Sequence, residues 1–235
     1  MHEKEFDLFL SYSRSSLTMA EKIANELEKN GLRVWLDRTD VILGSNIYCN
    51  LLHTLTVAQN WLGIILLFDK TYFSKEWCIQ ELELSLKNGL TLYPILNEIE
   101  KAAIPSKYTF LKSLNMVTIR KPDDFDYAIN KILSALISMN PPTKTVNLHS
   151  DIYQVLTKSY NRLTRVENER VICADNIARL LECSLPNELT NYDFFLAKVI
   201  HNKCSKLFQL NSIEIYDIKV ACDATDILLK RVKSI

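Results

Sequence analysis

In the stretch SKEWCIQELE, Ser74 to Glu83, an indole and a carboxylate stand four residues apart, at Trp77 and Glu81. The stretch reads as the start of a helix, where residues i and i+4 share a face, so the two side chains lie one above the other. An indole wall beside a carboxylate makes a slot for a flat, positively charged ring. Cation-to-indole attraction contributes about 1 to 2 kcal/mol when desolvated, and the carboxylate stabilises nearby positive charge. The spacing also fits a plainer arrangement, in which Trp77 covers the sheet edge and Glu81 is a solvated acid favoured by the first-turn dipole. Either way Cys78, Leu82, Ser85 and Leu86 occupy the adjoining face and are expected in the core.

Other familiar chemistries find little support. With glycines only at 31, 44, 63 and 89, the chain has neither a G-x-G-x-x-G turn nor a Walker loop. It lacks a G-x-S-x-G elbow, and its histidines at 2, 53, 149 and 201 stand apart from any nucleophile. His53 is expected to be an ordinary surface or half-buried imidazole. The six cysteines form no C-x-x-C pair and no run at zinc-ligand spacing, so no metal is expected and the thiols are expected to be reduced and mostly buried. Lys plus Arg and Asp plus Glu both number 28, which removes the global electrostatic case for nucleic acid or an anionic membrane. The N-terminus lacks signal-peptide order, and WLGIILLF is too short to span a bilayer, so the expected location is the cytoplasm.

The elements that must hold Trp77 and Glu81 follow from periodicity. FDLFLSY (6 to 12), LRVWLD (32 to 37), WLGIILLF (61 to 68), LTLYPIL (90 to 96) and NMVTIR (115 to 120) read as strands. Between them, Ala20, Ile23, Ala24 and Leu27 mark one helix, with Ser15 and Ser16 as candidate caps and Asn30-Gly31 as its stop. Ile47, Leu51, Leu55 and Ala58 mark a second. A third runs from about Lys75 to Leu86 and ends at Asn88-Gly89. A partly helical link contains Pro105, and a last helix begins at Asp123 or Asp124 and carries Phe125, Ala128, Ile129, Ile132 and Leu136. Five strands alternating with helices predict an α/β fold with a doubly wound parallel sheet, whose ligands gather beyond the carboxyl ends of the strands, in the loops after Tyr12, Asp37 and Phe68.

NPPTKTVN (140 to 147) stops the alternation, because two successive prolines forbid helix continuation. The expected division is a domain over 1–140, a linker over 141–149 and a small all-helical domain over 150–235 serving oligomerisation or regulation. One helix there carries Ile152, Val155, Leu156, Leu163 and Val166, and another carries Ile215, Ile218, Cys222, Leu229 and Val232, with Asn211 and Glu214 as a candidate capping box. Two more helices, broken near Pro186, are expected between them.

Three segments together resemble the TIR (Toll/interleukin-1 receptor) domain family. FDLFLSYSR (Phe6 to Arg14) looks like its first motif, RVWLDRTDVILGSNI like its second strand and BB loop, and YFSKEWCIQELE (Tyr72 to Glu83) like its third motif of a serine, Trp-Cys and Glu-Leu. The resemblance covers roughly residues 5 to 138 and implies the five-stranded flavodoxin-like fold reached above from periodicity.

Family members divide between docking modules and enzymes that cleave NAD+ with a glutamate on the third-motif helix. That glutamate falls on Glu81, and the tryptophan before it on Trp77. The resemblance further implies substrate contacts from Tyr12, Ser13, Arg14, Trp35, Asp37, Gly44, Asp69 and Ser74, with no cofactor other than NAD+ as substrate. Two departures stand out: Asp69 follows the third strand where many relatives have serine, and Ser13 stands where some NAD-cleaving relatives carry a basic residue, with Arg14 one place later. The implied activity is that of an NAD+ glycohydrolase or cyclase, giving ADP-ribose, a cyclic ADP-ribose isomer or an ADP-ribosyl conjugate, in antiviral immunity. The implied partners are further copies of the chain through TIR to TIR contacts and a downstream effector reached through the nucleotide product. The alternative is a non-enzymatic scaffold that docks another TIR domain through the BB loop, whose apolar tip is Val41, Ile42 and Leu43.

Overall fold

The computed structural model describes residues 7–36, 62–139, 149–163, 177, 180, 189–209 and 215–234. The expected second helix, the BB loop tip Val41-Ile42-Leu43, Asp37, Gly44, His53, the 140–147 segment and the Asn211/Glu214 box lie outside these residues. The chain divides into two compact units, Met1–Glu28 with Leu32–Ile129, and Lys29–Gly31 with Asn130–Ile235.

In the first unit β1 (Leu8–Tyr12), β2 (Val34–Leu36), β3 (Gly63–Phe68), β4 (Leu92–Asn97) and β5 (Val117–Ile119) form one parallel sheet in the order β2-β1-β3-β4-β5. This is the five-stranded doubly wound sheet expected from the alternation, and its order is the flavodoxin-like one. All six residues of β3 are buried, as are Leu8 to Ser11 of β1, so both faces of the central strands are covered. That is why these strands read as near-continuous apolar runs instead of alternating ones. Gly63 opens β3 with φ +142°, where a Cβ would come within 2.4 Å of the Thr91 carbonyl oxygen. That carbonyl accepts the Ile64 N–H at 2.8 Å, so the close approach belongs to the ladder itself.

Helix α1 (Leu17–Lys29) follows β1 and stops at the expected Asn30-Gly31. Helix α2 (Glu76–Lys87) follows β3 after a short turn at Tyr72–Ser74. It ends at Asn88-Gly89, where Gly89 takes φ +65° and the Leu90 N–H closes on the Ser85 carbonyl at 3.0 Å. The link containing Pro105 forms two tight helical turns, Lys101–Ala103 and Ser106–Ser113.

The α2 stripe departs from expectation at one position. Cys78, Leu82 and Ser85 are buried, but Leu86 is exposed and Leu84 takes its place in the core. The Ser106–Ser113 turn accounts for this: Tyr108 joins the same apolar cluster as Leu84 and donates its hydroxyl to Glu83 Oε1 at 3.1 Å.

Helix α3 (Asp124–Met139) begins at one of the two expected aspartates; Asp124 Oδ2 accepts the N–H groups of Arg120 and Lys121 at 2.9 and 3.0 Å. In the second unit the described residues form α4 (His149–Leu163), α5 (Asn191–Gln209) and α6 (Ile215–Ser234). Thr190 and Asp193 make a reciprocal cap at the start of α5: the Asp193 N–H reaches Thr190 Oγ1 at 3.2 Å, and the Thr190 N–H reaches Asp193 Oδ2 at 2.8 Å. Between α5 and α6 a fully buried ion pair joins Lys203 Nζ to Asp217 Oδ1 at 2.9 Å, and Asn130 Nδ2 donates to the same oxygen at 3.0 Å.

Candidate active site

Strand order reverses direction between β1 and β3, and a crevice opens beyond the carboxyl ends of strands at such a point. A cleft of about 380 Å³ lies there, lined by Tyr12, Ser13, Arg14, Lys75, Trp77, Cys78 and Glu81. Tyr12 ends β1, Ser13 and Arg14 begin the tight turn Arg14–Ser16, Lys75 precedes α2, and the last three lie on its opening turns.

Glu81 is only 2% exposed. A carboxylate so placed needs hydrogen-bond donors, because burial without them costs several kcal/mol, roughly. Ser11 supplies one. The parity of β1 points Phe9 and Ser11 to the face covered by α2, and Ser11 Oγ donates to Glu81 Oε2 at 2.5 Å. The Tyr72 hydroxyl lies 2.7 Å from the same Ser11 Oγ and 3.3 Å from the Cys78 carbonyl. The reading of Glu81 as a solvated helix acid is therefore corrected: the residue is inside, against the last core-facing side chain of β1.

Burial, and after it the Glu81 charge, push the Tyr72 phenol well above its ordinary ionisation range, so it remains a donor. The same two influences, with Asp69 added, push the Cys78 thiol up to about 12. Cys78 is thus a thiol at neutral pH and not a nucleophilic thiolate. Its Sγ donates to the Tyr12 carbonyl at 3.5 Å.

Asp69 sits below the first loop, itself buried. Its Oδ2 accepts the hydroxyls of Ser13, of Ser15 at 2.7 Å and of Ser16 at 2.6 Å. Its Oδ1 accepts the Thr71 N–H at 2.9 Å, the Thr71 hydroxyl at 3.0 Å and the Tyr72 N–H at 2.8 Å. Burial alone would raise this carboxyl, but the Ser13, Ser16 and Ser15 hydroxyls and the Thr71 N–H outweigh it and hold it at about 2. The hydroxyls of Ser15 and Ser16, expected at the start of α1 as caps, are spent on this carboxylate. Asp69 is consequently a buried clamp between the turns after β1 and β3, and not one of the residues lining the cleft.

Of the other residues singled out from sequence, Tyr12, Ser13, Arg14, Trp77 and Glu81 meet at the cleft, while Trp35 and Ser74 do not. Trp35 pairs with Phe9 across β2 and β1, their ring centroids 4.9 Å apart, and the indole is core. Ser74 is exposed and donates to the Thr71 carbonyl at 2.6 Å. Lys75 and Cys78 line the cleft without having been singled out for it, and Ser11 and Tyr72 contact the buried carboxylate network unannounced. The one signal for Ser11 was a hydroxyl at a core-facing position of an apolar strand, since buried polar atoms must be paired.

Chemically, the cleft places one carboxylate and an indole beside two exposed cations, Arg14 and Lys75. That combination suits a ligand with a cationic ring at one end and anionic groups at the other.

A curated relative, the NAD(+) hydrolase TcpA of Theionarchaea archaeon (strain DG-70-1), is 27% identical over 137 residues, 56% of this chain and 40% of that protein. The chain therefore spans less than half the length of that relative. Among solved structures, the TIR domains of the activated Roq1 resistosome directly recognizing the pathogen effector XopQ align at 17% identity over 56% of this chain and 99% of that one, with a TM-score of 0.46. The TIR domain of the Toll-related receptor TRR-2 from Hydra magnipapillata aligns at 16% identity over 56% and 98%, with a TM-score of 0.47. A TIR-STING receptor from C. gigas, in complex with 2′,3′-cGAMP, aligns at 19% identity over 70% and 48%, with a TM-score of 0.43. Residues 8–133, from the first residue of β1 into α3, match the family model for the TIR domain. That match takes in more than half of the 235 residues and every strand of the sheet, and this chain belongs to the TIR domain family.

Proposed function

We propose that the chain cleaves NAD+ at the bond between ribose and nicotinamide. The observation that carries this reading is the buried Glu81 carboxylate, held by Ser11 at the floor of a cleft that Trp77 also lines. The name of the archaeal relative, an NAD(+) hydrolase, supports the same substrate.

In NAD+ the nicotinamide ring is cationic. When the glycosidic bond breaks, its electron pair leaves with nicotinamide, which becomes neutral, and positive charge spreads over the ribose as an oxocarbenium ion. Glu81 opposes that charge as it develops, which stabilises the transition state more than the ground state. The Trp77 indole offers its face to the ring, and Arg14 and Lys75 offer cations to the pyrophosphate. Attack at C1′ by water, with loss of its proton, gives ADP-ribose. Attack by an adenine nitrogen gives a cyclic isomer, and attack by another nucleophile gives a conjugate. The biological setting that we propose is antiviral defence in the cytoplasm, with assembly through TIR to TIR contacts, a nucleotide product that acts on a downstream effector, and the helical second unit as an oligomerisation or regulatory element.

The test is turnover of fluorogenic etheno-NAD+ by the concentrated full chain, with mass spectrometry of the products. Turnover abolished by Glu81→Ala supports the reading. Equal rates for the two proteins remove it, and a chain that never consumes NAD+ under any condition leaves only a docking module.

A further inference from the structure

We infer that Ser11 and Tyr72 are positioning residues that hold the Glu81 carboxylate through a directed hydrogen-bond relay, Tyr72 to Ser11 to Glu81. The inference rests on the NAD+-cleaving reading and deepens it.

The direction follows from counting protons. With Glu81 ionised, as the NAD+-cleaving reading has it, the carboxylate only accepts, so the single Ser11 hydroxyl proton goes to Glu81 Oε2, over 2.5 Å. Ser11 Oγ is then left with lone pairs, and the Tyr72 hydroxyl, 2.7 Å away, is the donor that fills one. Tyr72 has one alternative acceptor, the Cys78 carbonyl, at the longer distance of 3.3 Å. The phenol is fully buried and keeps its proton, so the relay cannot reverse by losing it.

The arrangement costs the fold something that an apolar residue would not. Ser11 is 1% exposed, on the face of β1 where Phe9 belongs to the apolar cluster. Alanine at that position would extend the apolar face of β1 but leave the buried carboxylate without this donor. What alanine cannot do is fix a glutamate side chain, which has three rotatable bonds and loses rotamer freedom when held. Neither Ser11 nor Tyr72 lines the cleft, and the shortest hydrogen bond from the pair to a residue that does is the one from Ser11 to Glu81.

The experiment is steady-state turnover of etheno-NAD+ by the full chain carrying Ser11→Ala, Tyr72→Phe, both changes, or Glu81→Gln, with melting curves for each. Ser11→Ala should lower kcat by about 10- to 100-fold with KM within about twofold, because the interaction lost acts on the transition state. Tyr72→Phe should lower kcat by less, about 5-fold. The double variant should be no slower than Ser11→Ala, because Tyr72 acts only through the serine hydroxyl; such non-additivity is not expected of two independent packing defects. If Ser11→Ala fails to fold, a wild-type kcat in Tyr72→Phe overturns the relay, and a lowered kcat at unchanged KM and melting temperature upholds it. A silent Glu81→Gln beside a fully active Ser11→Ala, or losses that simply multiply in the double variant, overturns the relay alone. No difference between wild type and Glu81→Gln overturns the relay and the NAD+ reading together.

Discussion

The hydroxyl of Ser16 reaches the Asp69 carboxylate over 2.6 Å, and its oxygen in turn accepts Asn97 Nδ2 at 3.0 Å. One short side chain after β1 thereby ties together the ends of β3 and β4, at the edge of the candidate active site.

This clamp makes stability depend on pH in a defined window. Asp69 is held at about 2, against 3.8 for an unperturbed aspartate. A depressed folded-state value means that the native protein binds fewer protons than the unfolded chain. The resulting stabilisation is fully present above about pH 4 and is lost as pH falls through about 2. It amounts to about 2 kcal/mol. Denaturant titrations between pH 5 and pH 2 should show that loss, and Asp69→Asn should be less stable at pH 7 by about 2 to 4 kcal/mol, with a flatter acid limb.

Trp77 is partly buried and packs against the apolar cluster, so its loss is read in binding and in folding separately. Trp77→Ala should raise KM for NAD+ by about tenfold, the equivalent of about 1 to 2 kcal/mol of cation-to-indole attraction, while Trp77→Phe should retain most of the affinity. Initial rates over a substrate range distinguish the two; equal KM values for Trp77→Ala and wild type would exclude the indole as the ring's contact.

Gly63→Ala should destabilise the chain by about 2 kcal/mol or more, since the new methyl would meet the Thr91 carbonyl oxygen at 2.4 Å in a backbone conformation that suits only glycine. Chemical denaturation measures the change, and a variant as stable as wild type would contradict the close approach at the start of β3.

In the helical unit, Lys203→Met should cost about 3 to 5 kcal/mol, because it leaves the buried Asp217 carboxylate without its cation. Adding Asp217→Leu should recover most of that loss, as apolar pairs of similar volume replace buried ion pairs at little cost. Thermal melts of the single and double variants check the order.

How much of this was visible in the sequence depended on whether the cause was local. The aliphatic run of β3, the Asn88-Gly89 stop and the Trp77/Glu81 spacing are properties of a few adjacent residues, and each could be read directly. The Ser11 to Glu81 bond joins residues 70 apart, so it emerges only when β1 and α2 pack. Asp69 looked like a substrate contact because its sequence neighbours say nothing of the three serines that converge on it from the other loop. Trp35 looked like a pocket aromatic, and only strand pairing with Phe9 shows that it is core. Leu86 matched the helical period but lost its place to Leu84, because the cover came from a turn more than twenty residues onward.

The position of β1 in the sheet has a dynamic consequence. Ser11 sits on a strand paired on both sides, with β2 and with β3. Amides of a strand flanked on both sides exchange with solvent when the sheet around them opens, more slowly than those of an isolated turn. The grip on the carboxylate therefore belongs to the paired sheet, and opening of that strand is the motion that would release it.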